Sequence, residues 1–287
     1  MKRVATAAVL VPVILLIVLK APTWLFALTV GLVALIASRE YLAIAGHYVP
    51  VYSKATIAFV LLVWLLILAA YFCDFRLEVV FIAAPILFAL LLLAVGMRKE
   101  ELAQSLPAAA LSFVTVIYVV VPLGALILIR ELELGRFFVL FLFIAVWSGD
   151  IAAFYVGRSL GRHKLAPRIS PNKSWEGSVA STIFSVVVAV LYVHFANMQF
   201  GRMNSYGEVP SSPHYVMTIG ITVLINLAAQ VGDLVESMLK RGAGIKDSGT
   251  LLPGHGGVLD RIDALLFATP IAMLLFGFAA PYFSNHP

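Results

Sequence analysis

The sequence predicts an all-α, polytopic integral membrane protein with about nine transmembrane helices. Its 287 residues are 62% hydrophobic and only 12% charged, where soluble domains carry about 25% charged residues. So few polar side chains could not cover the surface of a 31.1 kDa globule. The mean hydropathy is +1.00, and the apolar residues come in long runs such as Ala58–Tyr71. This composition excludes a secreted disulfide scaffold, a nucleic-acid module and an ordinary two-domain cytosolic enzyme. The net charge of +5 does not argue for nucleic acid either, because Lys and Arg exceed acids around membrane spans. Cys73 is the only cysteine, which rules out an intrachain disulfide or a cysteine metal cluster.

A bilayer core of about 30 Å takes roughly 20 apolar residues as helix. On that criterion the spans are Val4–Leu19, Thr23–Ala37, Ala55–Cys73, Val79–Val95, Pro107–Ile129, Phe137–Val156, Val179–Phe195, Val216–Val231 and Ala264–Ala280. The first two are short and separated only by Lys20-Ala21-Pro22, so they form either two spans or one bent hairpin. Met1-Lys2-Arg3 before an apolar run has the start of a signal peptide. The second apolar run that follows makes this segment an anchor instead. Charge sets the orientation. Of the 20 Lys and Arg, only Lys20, Arg76, Arg130, Arg136 and Arg202 fall on the side opposite the N-terminus. That bias places the N-terminus in the cytoplasm and the C-terminus outside.

Two places break the apolar pattern. Asp150, in Trp147-Ser148-Gly149-Asp150, lies a little past the middle of the sixth span. Carboxylates at that depth face a cavity or a partner, so Asp150 is either a packing contact or part of a site. The second place is Val216 to Arg241, where Asn226, Gln230, Asp233, Ser237 and Lys240 follow helical spacing and line one face. Lipid would penalise that stripe, so it faces protein or water. Amides alone would suffice for a packing seam; Asp, Ser and Lys at its cytoplasmic end argue for a site.

The segment that follows is the densest in chemistry. Six glycines within residues 242–257 make a tight loop whose N–H groups can approach an anion. Asp260 and Asp263 share a face at the start of the ninth helix. Asp233, Asp247, Asp260 and Asp263 are placed to converge with Lys240, Arg241, Lys246 and Arg261. Hard oxygen ligands with no Cys and one nearby His favour Mg²⁺ over zinc. Carboxylate-held metal beside several cations suits a nucleotide phosphate chain. The loop Gly157 to Gly177 is basic and lies on the same membrane face, where it also reads as an anionic-lipid contact.

These residues resemble a known family. Ser237-x2-Lys240-Arg241-x4-Lys246-Asp247-x-Gly249-x2-Leu252-Pro253-x-His255-Gly256-Gly257-x2-Asp260-Arg261-x-Asp263 is similar to the signature of phosphatidate cytidylyltransferases, also called CDP-diacylglycerol synthases. The block from Asp150 to Gly177, with Lys164-Leu-Ala-Pro and Ser170-Pro171-x-Lys173-Ser174-Trp175, resembles them too. Residues 1–105 form a transmembrane region that resembles the family only in hydropathy. Residues 106–287 form the region with specific motifs, including cytoplasmic loops 157–178 and 240–263.

The resemblance implies a bacterial inner-membrane enzyme of phospholipid biosynthesis. It would convert CTP and phosphatidic acid into CDP-diacylglycerol and pyrophosphate. It also implies Mg²⁺ with a second cation such as K⁺, a homodimer, and a polar cavity open to cytoplasm and lipid. By that likeness Asp233 and Asp260 bind metal first, with Asp247 and Asp263 second. Lys240, Arg241, Lys246 and Arg261 clamp phosphates, joined by Asp247 and Ser237 as catalytic groups. His255, Gly254, Gly256 and Gly257 shape the nucleotide pocket, while Asp263, Lys164, Lys173 and Ser174 contact substrate. A CTP-dependent polyprenol or phytol kinase is the nearest rival, and a non-enzymatic transporter is the rival from another class.

The charge partition makes a topological prediction. A cysteine placed at Lys54 or Lys173 is expected to be labelled only from the cytoplasm, and one at Tyr206 only from outside. Labelling of position 173 from outside would overturn the orientation.

Overall fold

Inside a bilayer every backbone N–H and C=O must be satisfied within the protein, which makes helix the natural form for a single apolar run. The computed structural model has α1 (Lys2–Lys20), α2 (Thr23–Ala45), α3 (Ser53–Ala70), α4 (Leu77–Gly96), α5 (Leu102–Thr115), α6 (Val121–Glu131), α7 (Gly135–Leu160), α8 (Trp175–Met203), α9 (Tyr215–Gly242) and α10 (Leu259–Phe283). It describes the backbone of residues 2–73, 77–97, 101–203, 215–251 and 256–283, and their side chains except at 2–9, 78, 197–203 and 280–283. A π-helical turn, Val116–Val120, joins α5 to α6 as one segment, Leu102–Glu131. The wide turn comes where Pro122 has no N–H to give and its ring would press on the Tyr118 carbonyl.

Eight segments among the described residues are long and apolar enough to cross a membrane. The ninth, α1, has 19 residues, a length of about 28 Å at 1.5 Å per residue. Each predicted span falls within one helical segment except Ala55–Cys73, which runs three residues past the end of α3 at Ala70 into a turn. Helix α2 runs past the predicted end at Ala37 to Ala45. Arg39-Glu40 interrupts the apolar run, yet Glu40 is buried and hydrogen-bonded, so the helix carries it onward. The loop between α7 and α8 holds a small hairpin, β1 (Lys164–Ala166) and β2 (Ser170–Ser174), paired antiparallel.

The chain forms two compact units, one of Met1–Ile127 with Leu239–Ile262, the other of Leu128–Met238 with Asp263–Pro287. In the first, α2 packs on α3, α5 and the π turn, and α3 and α5 both pack on α4. Tyr41 meets Tyr118 edge-on with ring centroids 5.7 Å apart, and its hydroxyl donates to the Leu111 carbonyl. Phe59 stacks on Phe88 at 4.3 Å.

In the second unit, α7 and α8 lie close along their length. Gly149 faces the Ser181 hydroxyl and the Asn226 amide, and Gly157 and Gly177 lie back to back near Ser174. Small residues let backbones approach where lipid offers helices no hydrophobic incentive to associate. Ser185 donates to the Ala145 carbonyl at 2.5 Å, and Tyr192 to that of Phe137 at 3.2 Å. Phe138 stacks on Phe276 of α10 at 4.6 Å. Large apolar side chains on the outer faces, such as Ile82, Leu87, Ile183 and Phe278, are exposed as lipid contact requires.

A methyl group at Gly149 would sit 2.7 Å from Ser181 Oγ and press on Asn226, whereas one at Gly220 meets nothing within 4 Å. Gly149→Ala is expected to destabilise the protein by about 1–3 kcal/mol. Gly220→Ala, in an open helical position, should be neutral or slightly stabilising. Thermal unfolding in detergent, followed by the loss of monodisperse protein, checks the contrast.

Candidate functional site

The site residues of the first unit come from α2, the end of α9, the loop after it and the start of α10. Helix α9 ends in a glycine-terminated cap. The Ile245 N–H donates to the Lys240 carbonyl at 2.9 Å and the Gly244 N–H to that of Arg241 at 3.0 Å. Gly244 supplies the left-handed conformation, φ 73°, that this cap requires. The chain then returns to α10, where Asp260 lies in the first turn. Its Oδ2 accepts from the Ser248 N–H at 2.9 Å, the Ser248 hydroxyl at 3.0 Å and the Gly257 N–H at 2.8 Å. Its Oδ1 meets Lys240 Nζ at 2.5 Å, with the two side chains only 7% and 11% exposed. Gly256, at φ 80°, leaves no room for a side chain, since a Cβ there would lie 2.5 Å from Asp260 Oδ2.

A second carboxylate completes this cluster. Glu40 of α2 accepts from the Val258 N–H at 3.0 Å and the Leu259 N–H at 2.7 Å, and its Oε2 lies 3.1 Å from the Ser248 hydroxyl. Two turns further on, Tyr48 donates to the Leu239 carbonyl at 2.8 Å.

The second unit holds another acidic group. Lys173, on β2, pairs with Asp233 of α9 at 2.7 Å, with side chains 24% and 39% exposed. The Ser237 hydroxyl donates to Asp233 Oδ1 at 3.4 Å. Asp150 of α7 lies within electrostatic reach of both Asp233 and Lys173. Deeper along α9, Gln230 and Asn226 bond to each other and to Ser178, Ser181 and Thr182 of α8. The predicted polar stripe therefore divides in two: amides that knit α9 to α8, then charged groups beyond them. At the hairpin's base, His163 meets Glu176 at 2.6 Å, and Ser174 is buried against Gly157, Gly161 and Gly177.

Of the four aspartates and four cations expected to converge, Asp260 and Lys240 are paired in the first unit. Asp233, in the second unit, pairs with Lys173, which is not one of those four cations. Asp260 with Lys240, and Asp233 with Lys173 and Ser237, form ion-paired groups. Gly256 and Gly257 pack against Asp260 and Glu40 as close-approach glycines. Arg241 turns back to the Ile245 carbonyl. Lys246, Asp247, Arg261 and Lys164 are exposed, and Asp263 is half-buried on α10. Gly254 and His255 lie outside the described residues. The sequence reading assigned no role to Glu40, Tyr48 or the α8 hydroxyls. An acidic residue inside an apolar run was a usable signal for Glu40, as it was for Asp150.

The carboxylate oxygens of Asp260 are of the hard kind that Mg²⁺ takes. Among the described residues no three His, Cys, Asp or Glu side chains gather into a protein-only cage, and Mg²⁺ takes one or two carboxylates plus water and substrate phosphates. In the first unit Asp260 would offer Oδ1, the oxygen that now meets Lys240; in the second unit, taken by itself, Asp233 is partly exposed.

Comparison with known proteins gives a consistent picture. A family model described as "Cytidylyltransferase family" matches residues 1–279. A phosphatidate cytidylyltransferase of Haemophilus influenzae is 46% identical over 145 residues, which are 50% of this chain and 47% of that protein. One from Staphylococcus aureus is 39% identical over 141 residues, 49% of each. One from Bacillus subtilis is 33% identical over 216 residues, 75% of this chain and 76% of that protein. The chain thus spans about half the length of the first two relatives and three quarters of the third.

Proposed function

The chain belongs to the cytidylyltransferase family, and we propose that it transfers the cytidylyl group of CTP to phosphatidic acid, yielding CDP-diacylglycerol and pyrophosphate. The observation that carries this reading is the Asp260 carboxylate, buried among loop N–H groups and paired with Lys240 at the start of a membrane helix. The names of the relatives supply the substrates. In this reaction a phosphate oxygen of phosphatidic acid attacks the α-phosphorus of CTP. The bond from that phosphorus to the oxygen bridging to the β-phosphorus breaks, and the electron pair leaves with pyrophosphate. No general base is needed, because a phosphate monoester is already an anion near neutral pH. Catalysis then rests on positioning and charge neutralisation.

Lys240 is assigned to a phosphate oxygen, reached by leaving Asp260 Oδ1. Exposed Lys246 and Arg261 are assigned to the outer phosphates. Asp260 in the first unit and Asp233 in the second are each assigned, on the resemblance, to Mg²⁺ binding, and Mg²⁺ when bound would offset the charge of the phosphate chain. Ser237 orients Asp233 through its hydroxyl, and Lys173 balances that carboxylate in the absence of substrate. The same reading places the chain in a bacterial inner membrane, N-terminus and site residues toward the cytoplasm where CTP is found. It includes, on the resemblance alone, a second cation and a homodimer.

Isotope position tests the reaction. With purified protein, Mg²⁺ and phosphatidic acid, CTP labelled on the α-phosphate should put its label into an organic-soluble lipid. CTP labelled on the γ-phosphate should leave its label in aqueous pyrophosphate. Label from the γ position in the lipid would instead indicate a CTP-dependent lipid kinase. Asp260→Asn keeps the shape and gives up the charge, so turnover should fall at least about 10³-fold, a transition-state loss of several kcal/mol. A variant that inserts normally and keeps a tenth of the activity would remove Asp260 from metal binding.

A further inference from the structure

Glu40 lies in the first unit, in a part of the chain where the sequence carries no site motif, yet it is tied to the site across more than 200 residues of chain. Its two oxygens are divided between two consecutive amides: Oε1 takes the Val258 N–H at 3.0 Å and Oε2 the Leu259 N–H at 2.7 Å. These are among the N–H groups that the start of α10 leaves without intrahelical partners. Glu40 therefore does from another helix what a local N-cap residue does, and its charge complements the positive end of α10. The residue that would cap locally, Val258, has no side-chain oxygen.

The position matters because Asp260 follows Leu259 directly. Ser248 joins the two carboxylates: its Oγ lies 3.1 Å from Glu40 Oε2 and 3.0 Å from Asp260 Oδ2, and its single proton serves one at a time. Gly257, whose N–H donates to Asp260, has no room for a side chain because Glu40 and Ser248 press against it. The hydrogen bonds of Glu40 thus go to Ser248, which itself donates to Asp260, and to Val258 and Leu259, which lie between Asp260 and its donor Gly257.

We propose that Glu40 is a positioning residue of the reaction. It locks the first turn of α10 and the Ser248 loop so that Asp260 Oδ2 stays turned among loop donors and Oδ1 is aimed at Lys240 and the incoming charge. This rests on the reading of Asp260 given above. Tyr48 supports the same arrangement from the other side. It lies in the turn that follows α2, eight residues on from Glu40, and holds the Leu239 carbonyl beside Lys240. Helix α2 and the turn after it thereby grip both ends of the loop.

The test compares Glu40→Gln with Glu40→Asp and Ser248→Ala in full-length purified protein. Gln has one acceptor oxygen for two amides, so hydrogen–deuterium exchange across residues 256–262 should speed up at least tenfold. The kcat should fall about 10- to 100-fold with the KM for CTP changed less than threefold, and the half-saturating Mg²⁺ concentration should rise. Asp keeps both oxygens and should recover part of the kcat. Glu40→Gln combined with Ser248→Ala should lose less than the product of the single losses, because both act through one carboxylate. Faster exchange with unchanged kcat and Mg²⁺ dependence would make Glu40 a stability residue only, and unchanged exchange would remove the cap altogether. Either result overturns the proposal. Because the exchange measurement does not depend on turnover, it separates this failure from that of the proposed reaction, which would show as no label transfer by the unaltered protein.

Discussion

A carboxylate withdrawn from water must be given donors, and the loop between α9 and α10 is arranged around that requirement at Asp260. Three donors from Ser248 and Gly257 converge on one oxygen, and Lys240 lies on the other. Removing one partner of such a buried pair leaves a charge that nothing compensates. The glycines follow from the same constraint. Gly256 must take a left-handed turn hard against Asp260, and Gly257 must pass between Ser248 and Glu40. A side chain at either position would displace the donors from the carboxylate.

The bilayer imposes the complementary rule on the other polar groups. Asn226 and Gln230 lie inside a membrane helix, and each hydrogen bond they make is to another polar group of α8 or α9. Closed in this way, the seam is packing, worth a modest amount per bond in membranes. Beyond it the helix carries groups of a different kind. Asp233 and Lys173 are partly open to solvent and hold opposite charges, so they are paired without being committed. A substrate bringing its own charges can exchange partners with them at far less cost than with the closed amides.

Much of this was legible in the sequence, and the limits have physical causes. Apolar run length located the nine apolar helical segments among the described residues, because the hydrocarbon core fixes how long such a run must be. It misplaced the end of α2, since hydropathy scores Glu40 as an interruption and cannot see that Val258, Leu259 and Ser248 await it. Asp260, Lys240 and the close-packed glycines were visible as a pattern because the residues that surround a site in one loop are neighbours in the chain. Glu40 shows in the sequence only as an acid within apolar surroundings; its role does not, because its partners lie more than 200 positions away. The same holds for the α8 hydroxyls: Ser178, Ser181 and Thr182 look like ordinary small residues until Gln230 and Asn226 are laid against them.

The charge inventory of the cluster then connects its architecture to its chemistry. Glu40, Asp260 and Lys240 together bring two formal negative charges and one positive charge. A nucleotide triphosphate is itself strongly anionic, and on its own it would be repelled by that excess. In the proposed reaction a divalent cation held by Asp260 would supply the positive charge that reverses this balance, leaving Lys240 for a phosphate oxygen. Held in place by backbone N–H groups, Asp260 need not reorganise when that happens. Electrostatic stabilisation is most effective when the groups that supply it are already oriented. That is why the structure spends a buried glutamate, a serine and two glycines on orienting one aspartate.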